Sequence, residues 1–137
     1  MPEGGPLRVL VVEDEPVNRA LLRAVLASAG SRLGQVELTE AGTVADGRGA
    51  IAAQMPDIMV LDVRLPDGNG LQLARELNEG SAGKRPRVIV MSASVLPRDR
   101  EVALAAGTDG FLGKPFLPRE LIDLLEALTS EGRPAEG

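Results

Sequence analysis

Short apolar runs alternate along this chain with longer stretches whose apolar residues return every third or fourth position. Leu7–Val12 is hydrophobic except for Arg8, the composition of a strand buried on both faces. Pro16 suits the first turn of a helix, where Val17, Leu21, Ala24 and Val25 recur at i, i+4, i+7 and i+8. Leu22, Leu26 and Ala29 widen that stripe, and Gly30 stops it. Val36-Glu37-Leu38 alternates as a short second strand. Thr43, with Asp46 three residues on, resembles a capping box and opens a helix to about Gln54. Gly47 and Gly49 weaken that helix by about 1 kcal/mol each relative to alanine.

Asp57–Asp62 is a third strand, Asp67-Gly68-Asn69-Gly70 a turn, and Leu73, Ala74 and Leu77 begin a third helical stripe. Beyond a polar loop at 81–86, Arg87–Met91 is the fourth strand. Pro97 opens a short helix carrying Val102, Ala105 and Ala106 and closed by Gly107. Asp109–Leu112 is the fifth strand, and Pro118 opens a last helix with Leu121, Leu124, Leu125 and Leu128 on one face. A βα unit repeated five times predicts an α/β fold, with a parallel sheet covered by helices on both faces.

The chain has 137 residues, one domain's worth, which we place at 7–130 between flexible Gly-, Pro- and Glu-rich tails at 1–6 and 131–137. A chain of this length buries about 68% of its unfolded surface, enough for a self-sufficient core. Two Phe and no Tyr or Trp mean that the core is aliphatic. No Cys excludes disulfides and thiolate chemistry; no His excludes triads, zinc-hydrolase sites and a phosphohistidine carrier. The net charge of −5, without a basic stripe, predicts no direct DNA binding. No secretory leader is visible and no run reaches the ~18 apolar residues of a membrane span, so no membrane partner and a cytoplasmic location are expected.

Four of the predicted strands lead into polar chemistry: Glu13-Asp14 after the first, Asp62 closing the third, Ser92 after the fourth and Lys114 after the fifth. In open parallel sheets ligands bind outside the carboxyl ends of the strands. An acid pair, an acid, a hydroxyl and a lysine at one sheet edge suit phosphate chemistry with a divalent metal. Taken singly, each has a plainer explanation. Asp62 could be a solvated strand end, and the acid pair could simply favour the positive end of a helix, worth about 0.3–1 kcal/mol. Ser92 could be a helix-entry residue, Lys114-Pro115 a turn, and Phe111 a core aromatic.

Together, Val-Val-Glu13-Asp14-Glu, Val-Leu-Asp62-x-x-x-Pro66-x-x-x-Gly70, Met-Ser92-Ala and Phe111-Leu-Gly-Lys114-Pro115-Phe resemble the receiver domain of bacterial response regulators, in order and spacing, from about Leu7 to Leu128. The resemblance implies a doubly wound, flavodoxin-like (βα)5 domain with strand order 2-1-3-4-5. Strands lie about 4.8 Å apart, so that order puts the acid pair and Ser92 one spacing to either side of Asp62. Lys114 is then two spacings away, about 10 Å, a gap that only a long side chain crosses.

The resemblance further implies that Asp62 accepts a phosphoryl group from a sensor histidine kinase or His-phosphotransfer protein. It implies Mg²⁺ held by Asp14 and Asp62, with Glu13 acting through water and Arg64 through its backbone carbonyl. Lys114 and Ser92 would meet the phosphoryl oxygens, Ser92 and Phe111 would form the switch, and Lys114-Pro115 would be cis. The signal would appear on the fourth helix, fifth strand and fifth helix, where Arg98, Asp99, Arg100, Glu101, Arg119 and Asp123 are candidates for a partner face or a weak homodimer. Arg64 and Ser94 occupy positions that tune loss of the phosphoryl group; Arg64 shielding the site from water would make the acyl phosphate of Arg64→Asn shorter-lived, and an unchanged lifetime would remove the idea. The chain is expected to be a stand-alone signalling phosphoacceptor rather than a turnover enzyme. A haloacid-dehalogenase-type phosphatase needs a second Asp where Arg64 stands, and a phosphorylation-independent interaction module usually lacks the Asp or the Lys. Two departures stand out: a long Gly30–Ala41 connection, and Thr43-Val44 where Asn-Gly is common.

Overall fold

The computed structural model describes residues 6–80 and 85–131; most of the expected tails and of the 81–86 loop lie outside them. The described chain runs β1 (Leu7–Val12), α1 (Pro16–Ser28), β2 (Val36–Ala41), α2 (Val44–Ala53), β3 (Ile58–Asp62), α3 (Leu71–Gly80), β4 (Arg87–Ser92), α4 (Pro97–Ala105), β5 (Gly110–Gly113) and α5 (Pro118–Glu131). One further helical turn, Gly30–Leu33, lies in the long connection. Two-residue strands at Arg64–Leu65 and Gly68–Asn69 pair as a hairpin after β3. The five main strands form one parallel sheet in the order β2-β1-β3-β4-β5, the order expected.

Alternation along the central strands sorts the core into two layers. Val9 and Val11 of β1 and Ile58 and Val60 of β3 pack with Leu22, Val25 and Leu26 of α1 and Leu121, Leu125 and Leu128 of α5. Their neighbours Leu10, Val12, Met59 and Leu61 pack on the opposite face with Val44 of α2, Leu71, Leu73 and Ala74 of α3, and Ala103 and Ala106 of and after α4. A one-residue slip of any central strand would exchange these sets, so the register is fixed from both sides.

Two helical faces differ from the sequence expectation. On α1, Val17 is 78% and Leu21 47% exposed and Ala24 is also exposed, while Leu22, Val25, Leu26 and Ala29 are buried. The two stripes are offset by one residue, about 100° of helix rotation, and the sheet takes the one whose i, i+3, i+4, i+7 spacing is unbroken. On α4, Ala103 and Ala106 face the sheet and Val102 and Ala105 point outward. Small residues let that helix approach closely. Gly30 does not stop α1: Ala29 caps it, and Gly30 begins the extra turn, whose exit is Gly34 at φ 77. Gly47 in α2 has a packing reason, because a Cβ there would lie 2.9 Å from Leu73 Cδ1 and 3.3 Å from Val12 Cγ2.

Candidate functional site

The ladder brings the strand ends together. Val12 pairs with Leu61, Asp62 with Met91, and Ser92 with Gly113, so the residues that follow sit along one edge. The ladder continues past β1, where the Glu13 N–H donates to the Ala41 carbonyl at 2.9 Å. Past β5 the Lys114 N–H donates to the Ser92 carbonyl at 2.8 Å, and Lys114-Pro115 is cis.

Lys114 spans the gap anticipated for it. Its Nζ lies 3.0 Å from Asp62 Oδ2 and 3.1 Å from Glu13 Oε1. Glu13 is fully buried, and its other oxygen accepts the Glu15 N–H at 3.0 Å and the Asn18 amide at 3.4 Å. Asp62 is 6% exposed, and its Oδ1 accepts the Arg64 N–H at 3.4 Å. Glu13, half-buried Asp14 and Asp62 each offer a carboxylate oxygen, and these oxygens lie within 4.8 Å of one another. Three carboxylates against one ammonium leave two negative charges concentrated on one sheet edge. This donor set fits a hard divalent cation, which prefers oxygen ligands. Glu13 is engaged by Lys114, Glu15 and Asn18, and Asp62 by Lys114 and the Arg64 N–H.

The charge balance is visible in the ionisation of the pair. Burial raises the Asp62 carboxyl above the usual carboxylate range, and the Glu13 charge adds to this; Lys114 and the Arg64 N–H work the other way without cancelling it. Burial pulls the Lys114 ammonium down, but its hydrogen bonds to Asp62 and Glu13 outweigh that and hold it above its ordinary value. Both partners are therefore raised. One ammonium serves two buried carboxylates, so Lys114 is firmly charged while Asp62 remains under-compensated.

Ser92 is buried, and its Oγ accepts the Ser94 N–H at 3.1 Å, which leaves the hydroxyl proton available to an incoming oxygen. Ser94 itself donates to the Asp99 carboxylate. Arg64 is exposed, and only its N–H reaches Asp62. Phe111, in β5, pairs with Val90 of β4 and is half-buried under Arg100, whose guanidinium carbon is 4.7 Å from the ring centroid.

The loop after Asp62 is tightly closed. The Gly70 N–H donates to the Val63 carbonyl at 2.7 Å, and a Cβ on Gly70 would lie 2.0 Å from the Asp62 carbonyl oxygen. Asn69 Oδ1 caps α3 through the Leu71 N–H at 2.8 Å. Asp67 reaches the start of α2, accepting the N–H groups of Val44 at 2.7 Å and Ala45 at 3.0 Å, and these bonds hold its carboxyl below the usual range. Sequence reasoning missed Asp67, Asn18 and Arg19 as supports of the site. Cavities of about 140 Å³, lined by Arg8, Glu37 and Gln54 among others, and about 170 Å³, beside Arg100 and Phe111, lie away from the carboxylates. The carboxylate cluster lines neither cavity.

Residues 9–126 match the family model of the response regulator receiver domain. The KDP operon transcriptional regulatory protein KdpE of Escherichia coli is 40% identical over 108 residues, covering 79% of this chain and 44% of that protein. The probable transcriptional regulatory protein TcrX of Mycobacterium tuberculosis is 40% identical over 92% of this chain and 51% of its own length. The chain thus spans about half the length of these curated relatives. Among solved structures, the receiver domain of a sensor histidine kinase from Pseudomonas aeruginosa, with a magnesium ion coordinated in its active site cleft, is 32% identical with a TM-score of 0.76, over 90% of this chain and 97% of that one. A receiver from Methanospirillum hungatei, described as CheY-like, shares the fold at a TM-score of 0.78 and 24% identity, covering 97% of this chain and 100% of that one. The expectation of no DNA contact finds no support here, because the relatives are transcriptional regulators about twice as long. Sheet order, strand-end chemistry and sequence agree: the chain belongs to the receiver domain family of two-component response regulators.

Proposed function

We propose that Asp62 is the phosphoacceptor, taking a phosphoryl group from a phosphohistidine on a sensor histidine kinase or His-phosphotransfer protein. An Asp62 carboxylate oxygen forms the new O–P bond as the P–N bond breaks, and the bonding pair leaves on the imidazole nitrogen, which takes up a proton. Such transfer needs mainly positioning and charge neutralisation. Lys114 holds Asp62 in place and then faces the phosphoryl oxygens, and the Ser92 hydroxyl donates to one of them. Asp14 and Asp62 would hold Mg²⁺, with Glu13 acting through water and the Arg64 carbonyl completing the protein ligands. When bound, Mg²⁺ neutralises charge on the transferring group. The observation that carries this reading is the Lys114 ammonium within 3.1 Å of both Asp62 and Glu13, beside a third carboxylate.

The chain then acts as a signalling phosphoacceptor rather than a turnover enzyme, in the cytoplasm; no described helix is long and apolar enough to cross a membrane. Ser92 and Phe111 relay the change to α4, β5 and α5, the face offered to a downstream protein or to a second copy. Incubation with Mg²⁺ and acetyl phosphate, followed by intact mass, should add one phosphoryl group to wild type and none to Asp62→Asn. Equal labelling of both proteins would refute the assignment.

A further inference from the structure

We propose that Arg19 is a positioning residue for the metal-binding acid pair, seated in a space that Gly42 keeps open. The inference rests on the metal-assisted reading above. Arg19 lies on α1, one turn beyond the acids, and its side chain is 26% exposed. Its Nη1 donates to the Glu13 carbonyl at 2.8 Å and to the Asp14 carbonyl at 3.2 Å. These two carbonyls precede α1, so the Arg19 guanidinium takes the place of a helical partner. Fixing two successive carbonyls fixes the two peptide planes from which the Glu13 and Asp14 carboxylates project. The guanidinium is itself oriented from the other side by Glu40 of β2, whose Oε1 lies 3.5 Å from Arg19 Nε.

Gly42 completes the arrangement. A Cβ there would lie 3.3 Å from Arg19 Nη1 and 4.0 Å from Asp14 Cα, so an added methyl asks the guanidinium to shift by a few tenths of an ångström from where it meets the loop. The planar fork matters here as well as the charge, because a lysine cannot serve the two carbonyls and Glu40 from one fixed plane. Charge alone predicts the opposite effect on metal: a cation beside three carboxylates repels Mg²⁺, so removing it would tighten binding. The sign of the change therefore separates positioning from simple electrostatics.

The test is Mg²⁺ affinity by isothermal titration calorimetry on wild type, Arg19→Lys, Arg19→Gln, Gly42→Ala and Arg23→Gln, with melting temperatures in EDTA alongside. Arg23 also pairs with Glu40, at 2.8 Å, and its loss changes net charge as Arg19→Gln does without touching the acid loop. Both Arg19 variants should weaken Mg²⁺ about 10-fold or more, the usual cost of losing a group that orients metal ligands. Gly42→Ala should weaken it in the same direction, and Arg23→Gln should leave it within about twofold of wild type. Melting temperatures alone do not decide, because a merely structural Arg19 would lower them while sparing the affinity. Arg19→Lys and Gly42→Ala with wild-type or tighter Mg²⁺ binding would overturn the inference while leaving the metal site standing. Wild type that binds no Mg²⁺ would bring down the underlying reading and this inference with it.

Discussion

Lys114→Met isolates the electrostatic role of the ammonium, because methionine keeps much of the stem's length and packing and loses the charge. In wild type one ammonium faces two carboxylates whose side chains are 0% and 9% exposed, and is itself 24% exposed. Removing one member of a buried ion pair costs about 3–5 kcal/mol, because the remaining charge stays desolvated. The partial exposure of Lys114 argues for the low end, about 3 kcal/mol. A domain of this size loses roughly 4 °C per kcal/mol, so the melting temperature in EDTA should fall by about 12 °C. Saturating Mg²⁺ should recover much of the loss by supplying the missing positive charge, and by mass action any ligand that binds only the folded state stabilises it.

The pH dependence follows from Asp62. Lys114 opposes the upward effect of burial on its carboxyl, so the variant should raise it further. A carboxyl raised on folding costs nothing below its unfolded pKa and progressively more as pH rises through the folded value. The gap between wild type and Lys114→Met should therefore be widest at neutral pH and close towards about pH 4. Thermal melts followed by circular dichroism in EDTA measure both effects. A variant within about 2 °C of wild type at pH 7, with no dependence on pH, would refute the claim that Lys114 offsets two buried charges.

The same reasoning makes Asp62→Asn more stable than wild type at neutral pH, with the advantage shrinking as pH falls towards the unfolded Asp value of about 3.9; equal melting curves across that range would contradict it. Asp67→Ala should lower the melting temperature at neutral pH. Its wild-type carboxyl is held below the usual range, so that contribution is present above the unfolded pKa and disappears as pH falls through the folded one, and a pH-independent gap would count against the cap. Gly70→Ala should cost about 3 kcal/mol or more, because the new Cβ would lie 2.0 Å from the Asp62 carbonyl oxygen, and a denaturation midpoint equal to wild type would show that the loop simply yields.

The βα alternation was legible because β1, β3 and β4 are apolar on both faces and their helices open with Pro16 and Pro97 or carry a stripe such as Leu73, Ala74 and Leu77. The strand order was not legible from hydrophobicity; it followed from the resemblance carried by Asp62, Ser92 and Lys114. Helix phase was only partly legible at α1 and α4: Leu22, Val25, Leu26, Ala29 and Ala106 are buried as expected, but Val17, Leu21, Ala24, Val102 and Ala105 are exposed, because apolar residues occupy adjacent registers and periodicity cannot choose between them. The sheet chooses, burying Leu22 over Leu21 and Ala103 over Val102. At the site, the residues that end strands could be read directly, because each follows an apolar run. Their supports could not be read, since Asp67 meets Val44 across 23 positions and Arg19 acts through its contacts with main-chain carbonyls. Neither contact leaves a periodic or motif signal.

The central claim is that groups from four strand ends serve a single phosphoaccepting carboxylate, and a crystal structure with Mg²⁺ and beryllofluoride tests it most directly. The account predicts the fluoroberyllate on Asp62, within hydrogen-bond reach of the Lys114 ammonium and the Ser92 hydroxyl, with the cation on Asp14 and Asp62. Beryllofluoride on another carboxylate, or on Asp62 with Lys114 turned away from it, would contradict it.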